Sequence, residues 1–447
     1  MQKRIILFFF VLLTGLGTIQ AQENWNVSRV DSETYSLFQA KDWEGLIQVG
    51  REALNRQIDF YYLRVRVGIA FFEKGNYREA ALHFEKAREV NQEEEYVKEY
   101  LYYSYLWSGK EEEAELLVSV FSSELKRKTQ TYRRGSLRGL DFAYNYTGSL
   151  DPQIINEFSG PADVEAIGYQ YIPRFHHYGF FGVGLQLSPR WTLYQGLSYL
   201  QATQFYYSQE NGLSLQTPTN GSTSWQYVAS AGYYIGKGWS ASFGGHLLQL
   251  AYDVPFIQSV GNSPQTQVET DRVQAFDWLV FGALSKRLNY LDLGVNLYMG
   301  KINSGNQLQT DFQLSFFPMG NLNLYTYSVL SYQNQGFDGV ASTNRIIFNQ
   351  EIGLKLTHFL WLEGYGTFGE LQNYISKQGI VVFNRLDQID QRWGGRLLLV
   401  PNPSWKLTLD FTNFSNSSRF QANPAISDQN LKTYSIQSLT AILSWKF

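Results

Sequence analysis

The chain has 447 residues, of which 16% are aromatic and 17% are charged, with a net charge of −3 and no cysteine. The lack of cysteine excludes a disulfide framework and thiolate chemistry, and a charge near neutrality argues against nucleic acid as a partner. Low charge combined with many Tyr, Phe and Trp residues is typical of a protein whose outer surface faces lipid and whose rims carry aromatic girdles.

The N-terminus has the features of a secretory signal peptide, residues 1–21. Lys3 and Arg4 precede an apolar run over residues 5–16, and Ala21 offers a small residue for cleavage. No later stretch approaches the roughly 18 consecutive apolar residues that a transmembrane helix needs. An exported chain without such a helix, but with a barrel-like C-terminal part, is expected in the cell outer membrane.

Residues 24–130 have the periodicity of helices and predict a periplasmic tetratricopeptide (TPR)-like helical domain. The stretch around Gly75 fits the second half of a TPR, and shifts of 34 residues in both directions give further matches, which indicates about three repeats. The residues that carry this signature are Gly68, Phe71, Gly75, Tyr77, Ala80, Phe84, Ala87, Gly109 and Ala114.

Two roles are open for this helical segment. Its concave surface could bind a periplasmic protein, which the aromatic residues Tyr102, Tyr103, Tyr105 and Trp107 favour. It could instead be a helical spacer that docks on the mouth of a barrel. We expect a periplasmic protein partner.

Residues 136–447 alternate between apolar and polar positions in about 14 strands, joined in turn by short and long connections. This alternation of connections is typical of an up-and-down barrel with tight periplasmic turns and longer external loops. Predicted long connections include residues 206–222, 253–272, 301–306 and 370–388. The fold class is therefore a multi-domain α+β protein, with a short helical TPR array followed by an antiparallel transmembrane β-barrel.

The last strand ends the chain on an aromatic residue. Leu439, Ala441, Leu443, Trp445 and Phe447 form one apolar face, and the residues between them are mostly polar. This ending resembles the closing strand of bacterial outer-membrane barrels, whose terminal Phe is read by the barrel-insertion machinery. The resemblance implies that Trp445 and Phe447 form a barrel-assembly signal, and that outer-membrane lipid and the insertion machinery are partners.

The whole arrangement resembles the YaiO-like outer-membrane proteins of Bacteroidota, in which a signal peptide and a short TPR array precede a barrel. Residues 373–384, followed by Asp387 and Arg392, look like a pattern near the end of such barrels. More distantly, the layout is similar to polysaccharide-export porins, although those carry many more repeats.

The sequence contains little that points to catalysis. None of the five histidines, His83, His176, His177, His246 and His358, stands in a pattern typical of a catalytic pair or a metal site. No phosphate-binding glycine loop or carboxylate run is present. We expect no enzymatic activity, no cofactor and no metal.

Strand parity predicts which charged residues face the barrel lumen. With the apolar residues assigned outward, the pore-lining candidates are Asp277, Asp311, Glu351, Lys355, Arg392, Arg396, Lys406 and Asp410. If the tight turn at residues 401–404 places Val400 opposite Lys406, Arg396 lies opposite Asp410. A register shift of two residues would instead make Arg396 and Asp410 diagonal neighbours. About fourteen strands leave room for a narrow channel unless loops close it.

Two functions are compatible with these features. The first is a channel, transport or export component for an unknown solute or polymer, with a periplasmic TPR adaptor. The second is a structural adaptor, in which a closed barrel anchors the TPR array to a periplasmic or envelope-assembly complex.

Overall fold

The computed structural model describes residues 25–132, 135–149, 168–210, 213–259, 266–337, 339, 341–385, 387–419, 421–422 and 431–447. The predicted signal peptide lies outside these residues. The chain forms two compact units, residues 1–104 and 105–447.

The described residues contain seven helices: α1 Val27–Gln39, α2 Trp43–Asn55, α3 Tyr61–Glu73, α4 Tyr77–Val90, α5 Glu95–Trp107, α6 Glu111–Val118 and α7 Ser123–Lys128. The side chains of Asn26, Asp42 and Asn76 accept hydrogen bonds from backbone N–H groups in the first turns of α1, α2 and α4. Gly75 and Gly109 take the left-handed conformation (φ 75° and 78°) in the turns before α4 and α6, where a side chain would be strained.

Helices α3 and α4 pack closely because small residues lie at their contact. A Cβ atom on Gly68 would lie 2.8 Å from the ring of Phe84, which is itself fully buried. Ala80 and Ala87 are buried as well. The assignment of these helices to the TPR family stays a prediction.

His83 of α4 is buried in the first unit. Its ring stacks on Phe71 at 5.4 Å between centroids, and its Nδ1 lies 3.4 Å from a guanidinium nitrogen of Arg64. Burial, followed by the positive charge of Arg64, lowers the pKa of His83 to about 4.

The second unit contains a closed antiparallel barrel of fourteen strands. Its strands are β1 Leu137–Gly148, β2 Gly168–Gln186, β3 Trp191–Glu210, β4 Leu213–Gly236, β5 Trp239–Ser259, β6 Thr266–Arg287, β7 Leu291–Ile302, β8 Gly305–Phe316, β9 Leu324–Gly336, β10 Thr343–Lys355, β11 Leu360–Phe368, β14 Gln388–Asn402, β15 Trp405–Arg419 and β17 Leu431–Lys446. The short strands β12 Tyr374–Ser376 and β13 Val381–Phe383 pair with each other, and β16 Gln421–Ala422 extends the sheet beside β2.

The barrel closes where β1 pairs with both β2 and β17. At the closing seam the backbone N–H of Phe447 donates to the carbonyl of Arg138 at 3.0 Å, and Trp445 stacks between Trp405 and Phe447. This end of the barrel also carries the tight connections, and we call it the short-turn end. We call the opposite end the long-loop end. The role of Trp445 and Phe447 in assembly stays a prediction.

Three predicted connections are shorter than expected. The connection predicted at residues 301–306 is a two-residue turn, in which Asn303 and Ser304 both have positive φ (49° and 65°). Most of residues 206–222 and 253–272 belong to strands β3–β6. Beyond the zone where the outer wall is apolar, apolar and polar residues need not alternate, but the hydrogen bonds between neighbouring strands continue. Hydropathy therefore underestimates the length of these strands.

The barrel wall is apolar outside and polar inside. On β8, Leu308 and Phe312 are 51% and 55% exposed, whereas Gln309 and Asp311 between them are 0% and 2% exposed. This pattern inverts that of a soluble protein and is typical of a barrel surrounded by lipid. Among the described residues, no helix has the length and hydropathy needed to cross a membrane.

We predict that the helical unit loses stability as the pH falls from 6.5 towards 4. Because the pKa of His83 is lower in the folded state (about 4) than its usual value of 6.5, the unfolded chain binds the proton first, and the loss amounts to up to about 3 kcal/mol. Urea unfolding followed by the helical circular-dichroism signal measures it. The variant His83→Phe should match the natural protein above pH 6.5 and exceed it increasingly below. Parallel pH profiles for the natural protein and the variant would contradict the assignment of this pH dependence to His83.

Candidate functional site: the barrel lumen

The long connection between β11 and β14 folds into the barrel. Residues 370–385, which we call the lumen hairpin, contain the paired strands β12 and β13. Ile375 of β12 is fully buried against Leu279, Phe281 and Tyr298, whose side chains face inward from β6 and β7. The hairpin is an insertion and not part of the wall, because β11 and β14 pair directly with each other.

Three glutamines of the wall hold the backbone of β12 and the residues before it. Gln309 forms two bonds with Ile375: its Nε2 donates to the carbonyl at 2.7 Å, and its Oε1 accepts from the N–H at 3.0 Å. Gln307 donates to the carbonyl of Asn373 at 2.8 Å, and Gln333 to that of Gln372 at 3.0 Å. All three glutamines are buried.

Apolar residues of the hairpin pack on two sides of the lumen. Ile375 and Val382 contact the cluster of Leu279, Phe281, Tyr298 and Ile302. Leu371, Tyr374 and Phe383 contact a second cluster, formed by Ile347, Ile389 and Phe414. Neighbouring residues of β12 thus point to opposite sides, as strand geometry requires.

The tip of the hairpin reaches the opposite wall. Lys377, Gln378 and Gly379 have positive φ (51°, 52° and 81°), which reverses the chain. The carbonyl of Gly379 lies 2.7 Å from Nδ1 of His246 on β5. Since a carbonyl only accepts, Nδ1 carries the proton.

The base of the hairpin is fixed by polar contacts to several other strands. Glu370 pairs with Arg345 of β10 at 2.6 Å, and Arg385 lies 3.3 Å from His176 of β2. Asp387, just beyond the hairpin, accepts hydrogen bonds from Ser418 and Tyr434, and burial raises its pKa to about 6. Because it contacts β2, β5 and β10, which lie on different sides of the wall, the hairpin crosses the lumen.

A cluster of charged residues lies on one arc of the inner wall. Arg396 contacts Glu351 and Glu363 at 2.8 Å and Asp410 at 2.7 Å. The predicted register is present, because Arg396 pairs with Asp410 across β14 and β15. The four residues belong to four neighbouring strands, so the cluster follows the wall and does not cross the lumen.

Glycines position two tyrosines over this cluster. Gly353 lies opposite Tyr325, and Gly394 lies opposite Tyr365. A Cβ atom on either glycine would overlap the facing tyrosine. The tyrosine hydroxyls can therefore reach Glu363 and Asp410, to which they donate.

Glu363 was not among the residues predicted from the sequence. On β11 it alternates with the outward positions Leu362, Gly364 and Gly366. Two glycines give no apolar signal, so the facing of this strand is weakly marked in the sequence. The pairing of Glu363 with Arg396 across β11 and β14 identifies it.

Among the other predicted lumen residues, Arg392 adjoins the charged cluster, since its guanidinium lies 5.6 Å from the ring of Tyr365. It also lies over the ring of Phe383 at 4.7 Å. The remaining four have other neighbours. Asp277 accepts from the backbone N–H of Asn303 at 2.9 Å, and Asp311 accepts from Gln309 at 2.9 Å. Lys355 lies over Trp361 at 4.6 Å, and Lys406 pairs in register with Ser444. The eight residues form no single ring, and their pore-lining role stays a prediction.

At the short-turn end, helix α6 is bound to the rim by ion pairs. Glu111 pairs with Lys446 (2.7 Å), Glu112 and Glu113 with Arg287 (2.5 and 2.9 Å), and Glu115 with Arg138 (2.7 Å). Burial raises the pKa of Glu113 despite the opposing charge of Arg287. Because Arg287 ends β6 while Arg138 and Lys446 lie at the β1–β17 seam, α6 bridges two separate parts of the rim.

Among the described residues, no three His, Asp or Glu side chains are grouped so that they could hold a metal ion. His176 and His177 face opposite sides of the wall: the first contacts Arg385 of the hairpin, and the second bonds to the exposed Tyr144 at 2.7 Å.

No family model matches the chain, and no curated protein matches it. The resemblance to YaiO-like proteins therefore stays a prediction. Three solved structures that resemble the chain are each 9% identical to it, and each match covers 70% of this chain. The toluene transporter TodX of P. putida has a TM-score of 0.45 and is covered over 91% of its length, and the toluene transporter TbuX of Ralstonia pickettii has a TM-score of 0.44 and is covered over 90%. A Pseudomonas aeruginosa FadL homologue has a TM-score of 0.41 and is covered over 91%.

We predict that Gly353→Ala destabilises the barrel. The new methyl group would displace the ring of Tyr325 and break its bond to Glu363, which costs about 1–3 kcal/mol. The midpoint of urea unfolding in lipid vesicles measures the loss. Gly364→Ala is the matched control, because a Cβ atom there has no neighbour within 4 Å among the described residues. Equal midpoints for the two variants would contradict this role of Gly353.

Proposed function

We propose that this protein is a gated channel of the outer membrane, closed by the lumen hairpin. The observation that carries the proposal is the hairpin itself. A barrel of fourteen strands is roughly 28 Å across between backbones, from the usual strand spacing and tilt. Inward side chains fill barrels of about eight strands, so a wider one is occluded only if another segment enters it.

The contacts of the hairpin favour a movable gate. The wall holds it by hydrogen bonds from side chains to backbone, by two small apolar clusters, and at its base by the contacts of Glu370 with Arg345 and of Arg385 with His176. The ladder between β11 and β14 does not pass through it. The hairpin can therefore leave the lumen while every wall strand keeps both neighbours.

The outer-membrane location is supported by the outward apolar face of the wall, seen on β8 in Leu308 and Phe312. On this proposal the long-loop end faces outward, and the short-turn end, with α6, faces the periplasm. The partners are outer-membrane lipid, the barrel-insertion machinery and a periplasmic protein that binds the helical segment.

The ion pairs of α6 support a second candidate function. Four acidic residues of one helix bind basic residues on the rim. Such a contact suits a permanently closed barrel that anchors the helices to an envelope complex. In this case the hairpin is a fixed filler, and the barrel does not conduct even without it.

We predict that removing the hairpin opens the channel. Phe368 pairs with Gln391, so the ends of β11 and β14 are adjacent and a four-residue Gly-Ser linker can replace residues 373–384. In planar lipid bilayers this variant should give discrete conductance steps, whereas the natural protein stays closed for most of the time.

As a control, the same linker replaces residues 337–342, the connection between β9 and β10, and should leave the closed state unchanged. If the hairpin variant is folded, heat-modifiable and embedded in the membrane but silent, the channel proposal fails and the structural adaptor is favoured.

A further inference from the structure

We infer that the lumen contains a binding site for an extended peptide, and that β12 occupies this site when the channel is closed. The inference rests on the proposed channel function and specifies its cargo as a polypeptide segment in strand conformation. Three features of the described residues carry it: the glutamines of the wall, the two apolar pockets, and buried amide atoms that the hairpin leaves unused.

The first feature is the pair of hydrogen bonds between Gln309 and the backbone of β12. Its amide donates to the carbonyl of Ile375 and accepts from the N–H of the same residue. This pair of bonds matches one residue of an extended chain and involves no atom of its side chain. Such recognition is suited to a peptide of variable sequence.

The second feature is the pair of apolar clusters on opposite sides of β12, which form a pocket for one side chain each. Ile375 enters the pocket of Leu279, Phe281 and Tyr298, and Tyr374 enters that of Ile347 and its neighbours. Because adjacent side chains of a strand point in opposite directions, these pockets accept two consecutive apolar residues of any extended chain.

The third feature is unused hydrogen-bonding capacity beside β12. Gln307 and Gln333 use Nε2 on the hairpin, but their buried Oε1 atoms have no partner among the described residues, and the same holds for Nε2 of Gln335. Buried amide atoms normally find partners. These glutamines lie beside residues 372 and 373, where the hairpin leaves the strand conformation at Asn373 (φ 57°). A peptide that stayed extended before the start of β12 would supply backbone groups to these atoms, as Ile375 does for Gln309.

A neutral oligosaccharide is the main alternative ligand, because amides and tyrosine hydroxyls also bind sugar hydroxyls. The structure favours a peptide, since a peptide backbone already fills the donor and acceptor of Gln309. Buried Leu279 and Ile302 also suit aliphatic side chains. The test therefore includes a sugar.

The experiment uses the variant in which the linker replaces residues 373–384. The probe is a capped heptapeptide with the sequence of residues 371–377, Leu-Gln-Asn-Tyr-Ile-Ser-Lys. It should block the current in bilayers and bind the purified variant in detergent. A scrambled heptapeptide in which no two apolar residues are adjacent, and maltohexaose, should do neither. Methylation of the Ile nitrogen, which removes the N–H that Gln309 accepts, should weaken binding about tenfold.

Variants of the wall complete the test. Gln309→Leu should weaken binding at least as much as the methylated peptide does. Gln313→Leu is the control, because Gln313 lies on the same inward face of β8, beside Gly294, and forms no hydrogen bond to the described hairpin residues. It should leave binding unchanged. The methylated peptide acts on an unaltered wall, so it decides the question even if Gln309→Leu fails to fold.

The outcomes separate the two proposals. Conductance steps without binding of the heptapeptide, equal binding of the scrambled peptide, or block by maltohexaose alone would overturn the peptide site and leave the channel standing. Specific binding in detergent by a variant that conducts no current would support the site and overturn the channel.

Discussion

A wall of fourteen strands encloses more space than inward side chains can fill, and the rest of the barrel interior depends on this constraint. The lumen hairpin supplies the missing volume and brings its own backbone into an environment where unpaired polar groups are costly. The glutamines of β8 and β9 meet that requirement, because each presents a donor and an acceptor at the height of the hairpin. The segment that fills the lumen is therefore also the segment whose backbone the glutamines bind.

The second constraint is electrostatic. Arg396 faces three carboxylates on neighbouring strands, and Tyr325 and Tyr365 donate to two of them. Burying these carboxylates without Arg396 would be strongly unfavourable. The cluster fixes the facing of β10, β11, β14 and β15 at the height of Arg396.

Much of the barrel could be predicted from the sequence, because the facing of each strand and its pairing across a tight turn depend on residues close together in the chain. The alternation of residues 307–316 determines the facing of β8, and the tight turn before Trp405 places Arg396 opposite Asp410. The hairpin could not be predicted, since its position depends on contacts such as that between Gln309 and Ile375, 66 residues apart. Polar loops that enter a lumen and polar loops that face water have the same composition.

Whether movement of the lumen hairpin controls passage is tested most directly by a reversible cross-link. The chain has no cysteine, so Gln333→Cys and Gln372→Cys can be joined by a short bifunctional methanethiosulfonate reagent, which links hairpin to wall and leaves the Gln309 contact intact. If the hairpin is the gate, the cross-link should abolish voltage-driven openings in bilayers and a reductant should restore them, while single-cysteine variants are unaffected. Openings that persist in the cross-linked protein would contradict this role of the hairpin.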